Sequence, residues 1–326
     1  MLKYRYYRSL LNHKEQTVYE QLVSAMEKCE EEVFTEMLSQ EELHRIFFAV
    51  NLDQPQLFHV DFRSIAICQR GNRYLLKPVY HLKGKQYTDA KKNVDLAAAA
   101  ILDEMKQKKP EDPFLFLHDW LIVNCTYGET EERSREAHCV YGALVDHHCV
   151  CEGFAKAYRY LCTLADLQCT VITGNATVPF QPSGPHAWNM IRDHGHLYHV
   201  DVTFDHLIAQ KYCSRSYYRV SGQIIRKDHS FDTLFPIPQA KHNGSSLKTV
   251  AGTRQLIAFM KDECYRGSHM SQVRLTKGFE MDDIIQKIES GLCEEDYAWF
   301  SRLQSCHYAP GTRVISFVWN QPVYGT

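Results

Sequence analysis

Three short stretches constrain this chain more than anything in its composition. They are CVCEGFAKAYRYLC at 149–162, PHAWNM at 185–190 and LYHVDVTFD at 197–205. A cysteine heads a helical pattern, a histidine opens a strand pattern, and an aspartate sits in the next strand pattern. A thiol nucleophile, its base and an orienting carboxylate require that set of groups. Residues 152–166 read as a helix, because Phe154, Tyr158, Leu161 and Cys162 fall on one apolar stripe. Cys162 is therefore read as core. Cys151 falls at or just before the first turn, where unpaired N–H groups and the helix dipole favour a thiolate. The same N–H groups could hold an oxyanion. Gly153 is expected to keep the surroundings of the sulfur open.

The other two stretches read as a hairpin. Residues 186–191 and 196–204 are rich in β-formers around the turn sequence Arg192-Asp193-His194-Gly195. A two- or four-residue loop centred between Asp193 and His194 pairs positions whose numbers sum to 387, which sets His186 opposite Asp201. Opposed side chains lie about 5 Å apart at Cβ, close enough for a carboxylate to fix an imidazole. A three-residue loop with Gly195 as a bulge would break that parity. Trp188 and Asn189 are expected to pack against the histidine or cap the site, and His199 is read as structural.

Taken together, these motifs resemble the core of the transglutaminase-like superfamily of papain-type thiol enzymes. Its bacterial branch often reads G-V-C-E-G-Y-A, then H-A-W-N, then H-V-D-x-T-W-D. Here Cys149 replaces the first Gly, Phe154 the Tyr and Phe204 the Trp. The resemblance covers roughly residues 110–210, and LDQPQLF at 52–58 resembles a leader found in many bacterial members. It implies a papain-like fold with Cys151 as nucleophile, His186 as base and Asp201 as orienter. The expected fold class is α+β, a nucleophile helix packed on an antiparallel sheet. A helical and β-hairpin leader over 1–108 precedes the core at 109–240, and a small α/β appendage follows over 241–326.

Composition narrows the rest. A formal net charge of −2 over 326 residues gives no basic field for nucleic acid or anionic membrane. The 12 cysteines are scattered, without the spacing of a disulfide frame, and no apolar run marks a signal or membrane span. A cytoplasmic protein with reduced thiols is expected, and its oligomeric state is left open. Expected elements are helices over 14–37, from Ser39 to about Val50, 94–107, 113–125, 253–265, 281–290 and 294–303. Strands are expected over 58–68, 73–82, 270–276 and 312–319, with 226–250 as loop.

The functional expectation is cysteine-dependent acyl transfer on amide bonds of a protein or peptide, without cofactor or metal. Tyr141 is the candidate second oxyanion donor. Hydrolysis is favoured, with protein-glutamine transamidation as the alternative, since the first half-reaction is common to both. A non-catalytic interaction module on the same fold is the rival class. Zinc on His138, Cys139, His147, His148, Cys149 and Cys151 is a weaker alternative, since no pair of C-x-x-C knuckles is present. The acidic runs Glu129–Glu132 and Glu294–Asp296 lack calcium-loop spacing.

Overall fold

The computed structural model describes residues 4–177, 183–209, 212–276 and 281–320. The leader runs α1 (Tyr6–Ser9), α2 (His13–Glu27), β1 (Val33–Glu36), α3 (Gln40–Asp53), β2 (Val60–Arg70), β3 (Arg73–Tyr80) and α4 (Gly84–Lys108). Its strands form an antiparallel sheet in the order β1-β3-β2. Ser39 and Glu42 make the expected reciprocal cap on α3. The helix expected over 14–37 stops at Glu27, because Cys29 takes a left-handed φ of 55°. The β-formers Val33, Phe34 and Thr35 then pair with β3. The helix expected over 94–107 begins ten residues earlier, at Gly84.

The catalytic-motif region contains α5 (Pro113–Asn124), β4 (Thr126–Tyr127), α6 (Ser134–Ala137), β5 (His148–Cys149), α7 (Cys151–Leu164), β6 (Gln168–Ala176), β7 (Gly184–Asp193), β8 (His196–Val200), α8 (Val202–Ala209), α9 (Gly222–Ile225) and β9 (His229–Phe231). Asp112 caps α5 through the Leu115 N–H, with Pro113 at the first helical position. The sheet order is β8-β7-β6-β9. Four strands here were not anticipated: the two-residue β4 and β5, and β6 and β9, the last inside the stretch expected to be loop. Both sheet faces are covered, and β7 is buried continuously from His186 to Ile191. On one face Asn189 reaches the α7 backbone, while Val171 and Ala187 meet the leader's core. On the other, Ile172, Trp188 and Met190 pack with Phe204, Tyr217 and Ile225.

The remaining elements are β10 (Thr249–Val250), α10 (Thr253–Tyr265), β11 (Met270–Leu275), α11 (Met281–Ser290), α12 (Tyr297–Phe300), β12 (Leu303–Ala309) and β13 (Val314–Trp319). They form a sheet in the order β10-β11-β13-β12 around their own core of Leu256, Met260, Trp299 and Phe317. The helix expected over 294–303 is present as a 3-10 turn, Glu294–Asp296, that runs into α12 and ends at Phe300, and β12 takes over from Leu303. Gln272 ties this unit to the preceding one through Ser214 and Ser216.

Arg159 joins leader to core. It lies on α7, fully buried, and donates to Cys169 O at 2.5 Å, Asp53 O at 2.7 Å and Tyr4 O at 2.9 Å. Its guanidinium also pairs with Asp53, whose carboxylate accepts the Tyr7 and Arg8 N–H groups. Arg159→Ala would leave that buried carboxylate unpaired and is expected to cost about 3–5 kcal/mol of stability. Urea denaturation checks it: a loss below about 1 kcal/mol would mean that the pair does not join the two regions.

Candidate active site

Cys151 is the first residue of α7 and is partly exposed. The preceding residue, Val150, has no side chain able to cap the helix, and no side-chain cap is made. The N–H groups of the first turn are thus left for another partner. The parallel β4–β5 pairing, Thr126 with His148 and Tyr127 with Cys149, holds the chain entering the helix. Gly153 serves a different purpose from the one expected of it. A Cβ there would stand 2.3 Å from Ala137 O and 2.7 Å from Cys149 Cβ. Its missing side chain lets the helix start pack on the preceding chain and has no bearing on access to the sulfur. Cys149 is buried close to the Cys125 thiol, which donates to Ala143 O at 3.2 Å.

His186 lies near the start of β7, with Nε2 2.8 Å from Asp201 Oδ2. That contact leaves the other ring nitrogen, Nδ1, available to Cys151, whose sulfur is near enough to act on the His186 pKa. Burial works against charge on this ring, but the Asp201 carboxylate and the Cys151 sulfur outweigh it and lift the His186 pKa to about 10. Asp201 has no solvent exposure. Burial opposes its ionisation too, yet His186 and His229 hold it well below the usual carboxylate range.

The hairpin brings these groups together by a route other than direct opposition. Asp193 pairs with His196 across a two-residue turn, and Asn189 pairs with Val200, so paired numbers sum to 389, not 387. The turn is centred one residue later, with His194 and Gly195 both at positive φ. Strand β8 ends at Val200, and Asp201 is the N-cap of α8, accepting the Phe204 N–H at 3.0 Å. The expected strand to residue 204 is therefore corrected: Asp-Val-Thr-Phe is a helix start.

The flanking residues separate into two groups. The Trp188 ring lies nearly parallel to that of His186, 6.0 Å away and inclined by 15°. Its Nε1–H donates to His199 Nδ1 at 3.2 Å, and burial pulls the His199 pKa down to about 3, so His199 serves as a neutral acceptor. Asn189 faces the other way, since alternate residues of a strand point to opposite faces. It donates to Ala155 O at 2.9 Å, fastening β7 to α7, and does not line the site. Tyr141 is also displaced from the expected place. It packs on Phe58 and lines a cleft with Gln86 and Glu136 to which Cys151 does not contribute. Among the described residues, the ligand atoms of the 138–151 segment do not gather into a group able to hold a metal.

Two further residues were missed from sequence. His229 donates to the same Asp201 Oδ2 at 2.9 Å and approaches Asp228 Oδ1 at 2.6 Å. Tyr127, half-exposed, pairs with Cys149 on β5, and burial first, then its nearness to Cys151 and Asp201, pushes its pKa up. The available signals were an Asp-His pair and an aromatic just before a Gly, both outside the recognised motifs. Beside Cys151 on α7, Glu152 and Lys156 line a cleft of about 410 Å³ with Asp61, Arg63, Arg135 and His138.

Cys151 sits at a helix start without a side-chain cap, beside an imidazole that the Asp201 carboxylate holds charged, so it is expected to be the most reactive thiol of the chain. At pH 6, iodoacetamide is expected to alkylate Cys151 about tenfold faster than the exposed Cys68 and Cys293. His186→Ala should abolish that preference. Peptide mass spectrometry reads it, and equal labelling of all three thiols in the unmodified chain would contradict that expectation.

Residues 99–202, from within α4 to the first residue of α8, match the sequence model of the Transglutaminase-like superfamily. No curated protein matches the chain. Among solved structures, a Cytophaga hutchinsonii protein described as a "Putative Cysteine Protease" is 16% identical, with a TM-score of 0.28, covering 43% of this chain and 61% of its own. Another, described as a TGase, is 10% identical with a TM-score of 0.30, covering 68% of this chain and 58% of its own. The chain thus spans less than two thirds of either.

Proposed function

We propose that this chain is a cysteine-dependent acyl-transfer enzyme that cleaves amide bonds of proteins or peptides. The observation that carries the reading is the buried His186–Asp201 pair at 2.8 Å, with Cys151 beside it at the start of a helix that has no side-chain cap. In the first step Cys151 Sγ attacks the amide carbonyl carbon, and the oxygen becomes an oxyanion held by first-turn N–H groups. The tetrahedral adduct collapses, the C–N bond breaks, and the His186 imidazolium protonates the leaving amine. A thioester remains on Cys151. Neutral His186 then takes a proton from water, whose oxygen attacks the thioester carbon; the C–S bond breaks, releasing the acid and returning the Cys151 thiolate beside protonated His186. Asp201 keeps Nε2 protonated throughout and stabilises the imidazolium. No cofactor enters these steps.

The cleft lined by Glu152 and Lys156, the residues that follow Cys151 on α7, has room for a peptide segment. Hydrolysis is favoured over transamidation because Cys151 is partly exposed, which leaves the acyl-enzyme open to water. An interaction module without turnover would have little use for a thiol and an imidazole side by side.

Cys151→Ala is expected to abolish turnover while leaving the fold intact, since a partly exposed residue at a helix start contributes little packing. His186→Ala should impair turnover more than Asp201→Asn does. The measurement is mass spectrometry of a peptide library with and without a primary amine, in which free acid should outweigh amine adduct. Full turnover by Cys151→Ala would end the assignment, whereas predominant adduct would make the chain a transamidase with the same three residues.

A further inference from the structure

The Asp201 carboxylate serves two imidazoles, and only one of them faces the sulfur. His229, on β9, is 3% exposed. Its Nε2 lies 2.9 Å from Asp201 Oδ2, and its Nδ1 lies 2.6 Å from Asp228 Oδ1. An ionised carboxylate can only accept, and a neutral imidazole carries one N–H. A ring with a carboxylate at each nitrogen therefore needs two N–H groups, or one carboxylate must carry the proton. Imidazole is the stronger base by about 2.6 units in ordinary surroundings, so the proton belongs on nitrogen. Asp228 is also engaged at its other oxygen, where Oδ2 accepts the Tyr217 hydroxyl at 2.5 Å.

We propose that His229 is a positioning residue that stays doubly protonated between Asp201 and Asp228 and so sets how strongly Asp201 holds the proton on His186. Its effect on catalysis rests on the thiol chemistry proposed above, whereas its charge state does not. Asp201 divides its charge between two cations. If His229 were neutral, the whole carboxylate charge would fall on His186 and make it a poorer acid toward the leaving amine. The other groups around the ring leave this balance in place. The His186 ring is 5.4 Å away, and the Tyr217 ring, 5.8 Å away, keeps its proton because burial pushes its pKa well up. His199 is held neutral, and Arg226 is turned onto the Phe231 ring. Trp188 and Phe204 cover the remaining sides with ring centroids at 4.9 and 4.7 Å. Burial disfavours charge on His229, but the hydrogen bonds to Asp201 and Asp228 outweigh it and raise its pKa.

The outer carboxylate is in turn enclosed by the C-terminal unit. Gly311 lies in the turn between β12 and β13, and a Cβ added there would stand 1.7 Å from Asp228 Oδ2 and 2.6 Å from its Cγ. Asp228 cannot swing aside without losing His229 or Tyr217. The small appendage thus reaches the charge network through a residue that must lack a side chain.

The test uses the full chain with isotope-labelled histidine. Nitrogen NMR of the wild type, with His229 assigned by its absence in His229→Gln, should show both ring nitrogens protonated at pH 8. Asp228→Asn keeps the shape but offers an amide N–H to Nδ1, so His229 should become neutral. The pH at which His186 loses its proton, read from the pH profile of Cys151 alkylation, should then rise by about one unit, a tenfold change in the equilibrium. Gly311→Ala should move both readouts in the same direction. A neutral His229 in the wild type at pH 8 overturns the proposal without any variant. So does an Asp228→Asn alkylation profile that stays in place or moves to lower pH. If His229 is doubly charged but no peptide is turned over, the proposed activity fails and the charge assignment stands. If peptides are turned over while His229 is neutral, the activity stands and the charge assignment fails.

Discussion

Asp201 is an ionised carboxylate without solvent contact, and three elements are arranged around it. A buried charge of this kind persists only where donors replace the lost water. Here β7 supplies the His186 ring, β9 the His229 ring, and α8 the Phe204 N–H. Each donor comes from a different part of the chain, so the carboxylate can be satisfied only when strand, helix and the late strand are all in place. The requirement that makes Asp201 useful to an imidazole is thereby also a requirement on the fold.

The same logic extends outward in both directions. Arg159 meets Asp53 within the interface between α7 and the leader, which binds the nucleophile helix to chain 106 residues away. On the far side, Asp205 receives His118, Ser214 and the Tyr217 N–H, which fixes the loop following α8 against α5. The second aspartate of HVDVTFD is thus a structural partner of the first. It holds Tyr217 where its hydroxyl can reach Asp228.

What could be read from sequence follows from how local each feature is. The α3 cap, the α7 stripe and the termini of α10 and α11 depend on residues a few positions apart, and the structure places them as the pattern indicates. The cysteine, histidine and aspartate were visible because helix start, strand and turn signals surround them. His229 was not, because a three-residue strand has no period to detect. Its partners gave no better signal: Asp201 lies 28 residues away, and Asp228 is its neighbour in a polar stretch. Tyr141 and Asn189 were misplaced for a related reason. Proximity in sequence to Cys151 and His186 says nothing of the face a side chain takes, and strand alternation turns Asn189 onto α7.

The shift of register from 387 to 389 bears on the chemistry as well. Had β8 continued through residue 201, Asp201 would be one rung in a ladder, its side chain standing beside the residue opposite on β7. With a sum of 389 that residue would be Trp188, whose indole could not use a carboxylate as an imidazole does. Ending the strand at Val200 frees the carboxylate from the ladder and places it at a helix N-terminus, where the backbone holds one oxygen. The other oxygen then faces two strands that are not neighbours in the sheet, since β6 lies between β7 and β9. A carboxylate inside a strand is confined to its adjacent rung. One placed just beyond the strand can be reached by two histidines at once, and that difference of a single residue lets Asp201 meet both His186 and His229.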